Sequence, residues 1–232
     1  MATPFYVAPE QMMKDRAEYA RKGIARGRAL VAVEHPEGVI FAGENPSRSL
    51  YKTSEIYDRI GFAAVGKYNE FESLRVAGIR MADVKGYQYA REDVTAKGLA
   101  NAYSQALGAS FMGDSKPFEV ELLIAEVAAP GRTDGEGHEL YHILYDGSIV
   151  DEHRFVAMGG EAEALTAALG ESYTDGLDRD GAIRLAVAAL AQVAGRELPA
   201  GDLEVSGLDA TRPRRRFFRL RSDDLETVLA GG

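Results

Sequence analysis

The protein has 232 residues and a mass of 25.1 kDa, a length that favours one large domain. It contains no cysteine, which excludes a disulfide scaffold, a thiolate zinc site and a cysteine nucleophile. With 27 basic and 36 acidic side chains the formal net charge is −9, so the chain as a whole should not attract nucleic acid or an anionic membrane. The composition, 46% hydrophobic and 27% charged, is that of an ordinary globular protein.

No stretch of about 18 apolar residues exists that would span a membrane, and the N-terminus lacks the pattern of a secretory signal. Residues 9–28 are rich in Lys and Arg, but Glu10, Asp15 and Glu18 interrupt them, whereas transit peptides are poor in acidic residues. We therefore expect a cytoplasmic protein whose residues 9 to about 26 form a mixed-charge helix. Residues 1–8 show no periodicity and are expected to form a mobile tail.

The first helix is predicted from its opening residues and from one apolar stripe. Pro9 and Glu10 suit the first turn of a helix, where proline is tolerated and an acidic group favours the helix dipole. The stripe follows at helical spacing and consists mostly of small residues, which indicates close packing against another surface. Its members are Met13, Ala17, Ala20 and Ile24.

The rest of the chain alternates between groups of strands and pairs of helices. Strands are predicted at 29–34, 38–43, 60–65, 119–127, 139–146, 154–158, 202–208 and 215–220, and helices at 67–81, 94–112, 161–173, 179–192 and 223–229. Asp146-Gly147 is a strong hairpin turn, after which strand 154–158 is expected to pair. This order indicates an α+β fold in which helical layers cover antiparallel sheet.

The segment from His138 to His142 matches the H-E-x-x-H zinc-protease motif. That chemistry requires a helix, which brings residues i and i+4 to one ion. Here only a few residues separate Gly137 from the Asp146-Gly147 turn, and their composition favours a strand. Residues four apart on a strand are separated by about 13 Å, too far to share one zinc ion. A metalloprotease is therefore disfavoured, and no metal or other cofactor is predicted.

Two further segments have simple structural explanations. Gly66-Lys67 joins a strand to a helix, but the full phosphate-binding motif is missing, so a tight connection is favoured. The run from Arg212 to Arg219 is basic and aromatic, as in some nucleic-acid interfaces. Because arginines also protect edge strands, we interpret it as a solvated or interface strand, and predict no nucleic-acid partner.

Several long motifs, in the right order over about residues 4–220, closely resemble the α subunits of the proteasome core particle, of the actinobacterial type. The resemblance rests on Pro9–Gln11, Glu18–Gly27, Glu44–Leu50, Tyr57–Ala64, Gly66–Phe71, Lys116–Val120 and Leu144–Ser148. It implies a four-layer αββα sandwich, the superfold of the N-terminal-nucleophile hydrolases. It also implies a single domain over residues 9–232, preceded by the tail of residues 1–8.

The resemblance further implies what such a subunit does. Seven α subunits form a ring, and two such rings cap two rings of β subunits in an α7β7β7α7 particle whose β subunits hydrolyse peptides with a terminal threonine. This chain is then a non-catalytic subunit that controls substrate entry and templates assembly with the β subunits. It also docks a ring ATPase or other activator, which binds through the C-terminal tails of that regulator. Lys52 would bind the terminal carboxylate of such a tail, Gly66 would line the pocket, and the tail residues Thr3, Pro4, Phe5 and Tyr6 would plug the ring axis.

One alternative is a self-sufficient threonine peptidase of the same superfold. It would need a cleavage that exposes a threonine at the start of the first strand, near Arg28 and Ala29, and no threonine lies there. Nor does removal of the initiator methionine expose one, since Ala2 rather than Thr3 becomes terminal. Both observations favour the non-catalytic interpretation.

Overall fold

The computed structural model describes residues 8–128 and 137–231. Within these residues the helices are α1 Pro9–Ala25, α2 Tyr68–Gln88, α3 Ala96–Met112, α4 Ala162–Ser172, α5 Arg179–Ala194 and α6 Ser222–Ala230. The strands are β1 Leu30–His35, β2 Gly38–Glu44, β3 Thr53–Tyr57, β4 Ile60–Gly66, β5 Val120–Glu126, β6 Glu139–Ile143, β7 Ile149–Glu152, β8 Phe155–Met158, β9 Leu203–Asp209 and β10 Phe217–Arg219. Two short 3₁₀ helices lie at Arg91–Asp93 and Ala200–Asp202.

The strands form two antiparallel sheets of five strands each. The first sheet has the order β10-β9-β2-β1-β8 and the second the order β3-β4-β5-β6-β7. One apolar core lies between the two sheets, a second between the first sheet and helices α4, α5 and α6, and a third between the second sheet and helices α2 and α3. The result is a four-layer sandwich of helices, sheet, sheet and helices.

The strand sequences explain why both faces of each sheet are covered. In β1, Val31 and Val33 pack towards the helices, while Leu30 and Ala32 pack towards the other sheet, and all four are fully or almost fully buried. Strands β2 and β4 behave in the same way. Continuous apolar runs with no polar alternation are the pattern of strands buried on both sides.

The predicted first helix and hairpin are confirmed. Helix α1 begins at Pro9, and Ala20 and Ile24 of the predicted stripe are buried against the core between the sheets. Strands β1 and β2 pair with His35 opposite Gly38, which leaves Pro36 and Glu37 in a two-residue turn.

Three elements differ from the sequence predictions. Strand β3 was not predicted, because in five residues it buries only Thr53 and Ile56 and shows no apolar run. Helix α2 continues beyond residue 81 to Gln88, since Ala82 extends its buried row. The strand that pairs across the Asp146-Gly147 turn is β7, whereas β8, predicted for that position, crosses to the first sheet and pairs with β1.

The H-E-x-x-H segment lies on and just before strand β6, which confirms the strand prediction. His138 and His142 contact different partners: Nε2 of His138 lies 3.1 Å from the carbonyl oxygen of His35, while the His142 ring lies between Glu121 and Glu152, at 3.4 and 3.6 Å. Among the residues described, no three His, Asp or Glu side chains are grouped so as to hold a metal ion. Burial lowers the pKa of His142, but the two neighbouring carboxylates outweigh it and raise the pKa to about 9.

The protonated His142 should therefore stabilise the fold in a pH-dependent way. A folded pKa of about 9, above the ordinary 6.5, means that the stabilisation is complete below pH 6.5 and is lost as the pH rises towards 9. We expect the free energy of unfolding in urea to fall across this interval, and to fall less in the His142→Gln variant. His153→Gln, at an exposed histidine, is the matched control. An equal fall in all three proteins would contradict the assignment.

Candidate functional site

Four residues, Lys52, Gly66, Gly27 and Arg28, lie together at one end of the sandwich, and this group is here called the Lys52 notch. Lys52 immediately precedes β3, and its carbonyl oxygen accepts a hydrogen bond of 3.0 Å from the amide of Ala64 in β4. Gly66 follows two residues later at the end of β4. The register of these two strands therefore places Lys52 and Gly66 at the same edge of the second sheet.

The segment between α1 and β1 completes the Lys52 notch. The Lys52 ammonium nitrogen Nζ donates a hydrogen bond of 2.6 Å to the carbonyl oxygen of Arg28. A Cβ atom placed on Gly27 would lie only 3.3 Å from the Gly66 amide nitrogen, so the two backbones pass close together. Lys52 and Gly66, named from the sequence 14 positions apart, are thus brought together with the residues that end α1.

The Lys52 ammonium is half-buried, and this changes its acidity. Burial, which disfavours the charged form, lowers its pKa to about 8, with a smaller lowering effect from Arg28. The carboxylates of Glu204 and Glu44 act in the opposite direction without restoring the ordinary value. Lys52 therefore changes charge close to neutral pH, and an added carboxylate would favour its charged form.

Beneath Lys52, the buried carboxylate of Glu204 joins the two sheets. It belongs to β9 of the first sheet and accepts hydrogen bonds from the amides of Lys52 and Thr53, both at 3.0 Å, at the start of the second sheet. It also accepts from the Thr53 hydroxyl at 2.5 Å and from the Asn45 side-chain amide at 2.6 Å. The loop after β2, the start of β3 and β9 thus meet at one charged group.

The acidic groups near Lys52 already have other partners. Glu44 lies 2.6 Å from Arg196 and 3.5 Å from Arg28, and Glu204 lies 3.4 Å from Arg219. Within residues 8–128 and 137–231, the Lys52 ammonium group has only the one hydrogen bond to Arg28 and no ion pair. Because an ammonium group has three donors, Lys52 retains donors for an incoming acceptor.

Gly66 has a structural requirement of its own. Its φ of +105° is rarely adopted by residues with side chains, and a Cβ atom there would lie 2.0 Å from the carbonyl oxygen of Glu119. The next residue, Lys67, lies 3.8 Å from both Glu70 and Glu119, whose charges offset its own. This arrangement fits the predicted tight connection rather than a phosphate site.

Helix α1 is held across the ends of β4, β5 and α3. Arg16 donates to the carbonyl oxygens of Phe111, Ser110 and Ser115, at 2.6–2.9 Å, and so satisfies free carbonyl groups at the C-terminus of α3. At Gly23 the helix lies directly against the Glu119 side chain, where a Cβ atom would approach to 2.0 Å. The first helix is therefore a fixed element that ends at the Lys52 notch.

Some predicted site residues are not described by the structure, and some residues of the observed site were not predicted. Thr3, Pro4, Phe5 and Tyr6, predicted to form the gate, lie outside the described residues. Arg28, Glu44 and Glu204 were not predicted to belong to the site. One signal could have revealed Glu204, since it is an acidic residue between Leu203 and Val205 in a predicted strand, where a buried carboxylate needs hydrogen-bond partners.

The two sheets between helical layers define the class of protein: an α+β sandwich of the N-terminal-nucleophile hydrolase type. Within its described residues, no helix is both long and apolar enough to cross a membrane.

Comparison with known proteins identifies the family. Residues 24–206 match the family model described as proteasome subunit. The chain is 58% identical to a proteasome subunit alpha of Kineococcus radiotolerans, over 100% of this chain and 99% of that one. It is 57% identical to that of Sanguibacter keddieii (99% and 90%) and 54% identical to that of Thermomonospora curvata (100% of both). The chain belongs to the proteasome subunit family, as its motifs predicted.

The Glu204 carboxylate should contribute strongly to stability. Glu204→Gln keeps the size of the side chain but removes its charge and turns one acceptor into a donor facing donors. We expect a loss of about 3 kcal/mol in the free energy of unfolding, measured by urea denaturation, because a buried charge loses several charge-assisted hydrogen bonds. Glu197→Gln, at an exposed glutamate, is the control. A loss no greater than that of the control would show that this network does not hold the sheets together.

Proposed function

We propose that the chain is a non-catalytic subunit of the α ring of a proteasome core particle, where it docks regulators and controls entry. The observation that carries this proposal is the Lys52 notch: a half-buried ammonium group with unused donors, beside the place where the backbones of Gly27 and Gly66 pass close together. A peptide's C-terminal carboxylate is the natural acceptor for such a group, since charge-assisted hydrogen bonds are short and strong.

The absence of catalysis follows from the start of β1. A threonine nucleophile of this superfold needs a free terminal amine as its base. Here Gly27–Ala29 connect α1 to β1 without interruption, and no threonine occurs among them. Thr53 is close by, but its hydroxyl donates to Glu204 and accepts from Ser206 at 2.7 Å, and its amide is also bound. The relatives named proteasome subunit alpha favour this interpretation over a self-sufficient peptidase.

Assembly is the second part of the proposal. We expect seven copies of this chain to form a ring that pairs with rings of catalytic β subunits in an α7β7β7α7 particle, in the cytoplasm. Three large apolar side chains exposed near the C-terminal ends of α2 and α3 support contact with other subunits: Tyr87 at 92%, Tyr89 at 74% and Met112 at 68% exposure.

The gate and the docking site are connected through α1. The tail with Thr3, Pro4, Phe5 and Tyr6 leads into α1, and α1 ends at the Lys52 notch. A helix of 17 residues spans about 25 Å, so the start of α1 lies that far from the docking site. Because α1 is one continuous helix, it links the backbone at Gly27 to the start of the tail.

Deletion of residues 2–8 should increase the rate at which the assembled particle hydrolyses short peptides, because seven tails no longer plug the ring axis. The measurement compares the hydrolysis of a fluorogenic peptide by wild-type and truncated particles with the same β subunits. Gel filtration controls for equal assembly. An unchanged rate in fully assembled particles would remove the gate assignment.

Lys52→Ala should weaken regulator docking while leaving particle assembly intact. Loss of a charge-assisted hydrogen bond of about 1.5–3 kcal/mol corresponds to a roughly tenfold to hundredfold weaker affinity. The probe is a peptide with the sequence of a regulator's C-terminal tail, used with a free carboxylate and as the carboxamide. Binding of the carboxylate should also weaken as the pH rises past the Lys52 pKa of about 8.

The matched control for this experiment is Lys97→Ala, at an exposed lysine on α3. If the two alanine variants bind the peptide equally well, or if the wild type does not distinguish carboxylate from carboxamide, Lys52 is not the docking residue. Gly66 gives no clean test, because any side chain there would also collide with the Glu119 carbonyl group.

A further inference from the structure

A recess lies around the turn that joins β3 to β4, at the opposite end of these strands from the Lys52 notch. Its volume is about 700 Å³. Three segments enclose it: the β3–β4 turn with Asp58 and Arg59, the 3₁₀ helix Arg91–Asp93 between α2 and α3, and the loop before β10. We call it the arginine cavity. Its charged lining residues are Arg59, Arg91, Arg214, Arg215, Arg216, Glu55, Asp58 and Glu92.

Three of these arginines are matched by carboxylates. Arg59 lies 2.8 Å from Glu126, and Arg215 lies 2.6 Å from Glu55. Arg91 forms a two-point ion pair with Asp58 and also lies over the ring of Tyr57. These pairs hold the walls of the cavity in place and leave those guanidinium groups largely neutralised.

The other two arginines, Arg214 and Arg216, have no carboxylate partner among the described residues. Arg216 is only 7% exposed, and its Nε and Nη1 atoms are buried without a hydrogen-bond partner within the described part of the chain. A buried, uncompensated guanidinium is costly, because the charge has lost its water without gaining an acceptor. Arg216 is the arginine that bears this cost, and the exposed Arg214 beside it adds a second guanidinium group that an anion can contact.

The size and lining of the cavity narrow the class of that anion. A volume of about 700 Å³ lies within the range of small-molecule sites and leaves little room for a folded partner segment. The rigid, forked guanidinium group matches the oxygens of a phosphate with two parallel hydrogen bonds. Tyr57, Ile60 and Val94 add an apolar part to the wall, against which a non-ionic portion of the ligand can pack.

We infer that the arginine cavity binds a small phosphate-bearing molecule through Arg214 and Arg216. This site is separate from the Lys52 notch, since the length of β3 and β4 lies between them. It also accounts for the basic run of the sequence: its unpaired charges serve a local anion, in a chain whose overall charge of −9 repels polyanions.

The test is isothermal titration calorimetry with inorganic pyrophosphate, on the full chain alone and in the assembled particle, at constant ionic strength so that general screening does not change. We expect saturable binding to both. Arg214→Ala should weaken it at least about tenfold, the effect of losing one charge-assisted hydrogen bond. Arg80→Ala, at an exposed arginine on α2 outside the cavity, should leave it unchanged.

A second variant addresses Arg216, whose removal changes a buried position. Arg216→Met replaces an unpaired charge by an apolar side chain, so without ligand its melting temperature should equal or exceed that of the wild type. The rise in melting temperature that pyrophosphate gives the wild type should be absent in this variant. A variant that melts lower without ligand, yet gains as much from pyrophosphate, would contradict the assignment.

Three other outcomes would overturn the inference. The first is the absence of saturable pyrophosphate binding, and the second is equal binding by the Arg214→Ala and Arg80→Ala variants. The third is binding to the free chain that disappears in the particle, because a neighbouring subunit would then fill the cavity. Succinate and a glutamate-rich peptide are titrated in parallel. Binding of either in preference to pyrophosphate would assign the site to carboxylates.

Discussion

The buried Glu204 carboxylate is the interaction on which the site depends. It sits on the first sheet, yet its hydrogen bonds reach the amides of Lys52 and Thr53 at the start of β3 in the second sheet. It adds to the pairing with β4 that holds the beginning of β3, a five-residue strand that buries only two side chains. The same group therefore fixes the distance between the sheets and the position of the Lys52 backbone, and through it the ammonium group proposed to receive a regulator.

The residues before β1 contribute to the proposed docking site. In this superfold the start of the first strand is where a terminal nucleophile would lie. Here α1 and the Gly27–Ala29 connection occupy that approach, and the Arg28 carbonyl group accepts the hydrogen bond of Lys52. The close passage of Gly27 and Gly66 leaves no room for side chains between them. Helix α1 and the connection after it thus account both for the proposed lack of catalysis and for the arrangement of the Lys52 notch.

Charge is distributed unevenly over this acidic molecule. Some of its cationic side chains are paired within the fold, and others are free to contact an anionic ligand. Arg16, Arg59 and Arg215 are satisfied by carbonyl groups or carboxylates and serve the fold. Lys52 at one end of β3 and β4, and Arg214 with Arg216 at the other, have no carboxylate partner among the described residues. In a chain whose net charge is −9, cations without an ion pair at these two places are the positions at which anionic ligands gain most.

The sequence by itself determined the family, the lack of a threonine at the start of β1, the α1 helix and most strands, because these depend on local signals: apolar runs, Pro9, the Asp146-Gly147 turn and contiguous motifs. It also named Lys52 and Gly66, but only through resemblance to a family. Only the tertiary structure decided that β8 leaves its neighbour β7 for the other sheet, that β3 exists, and that Glu204 lies beneath Lys52. Likewise, only the tertiary structure showed that Arg216 is buried, with its Nε and Nη1 atoms lacking a hydrogen-bond partner in the part of the chain that is described. These features arise from contacts between residues as many as 152 positions apart, and no local pattern of the chain records which distant carboxylate will meet which amide.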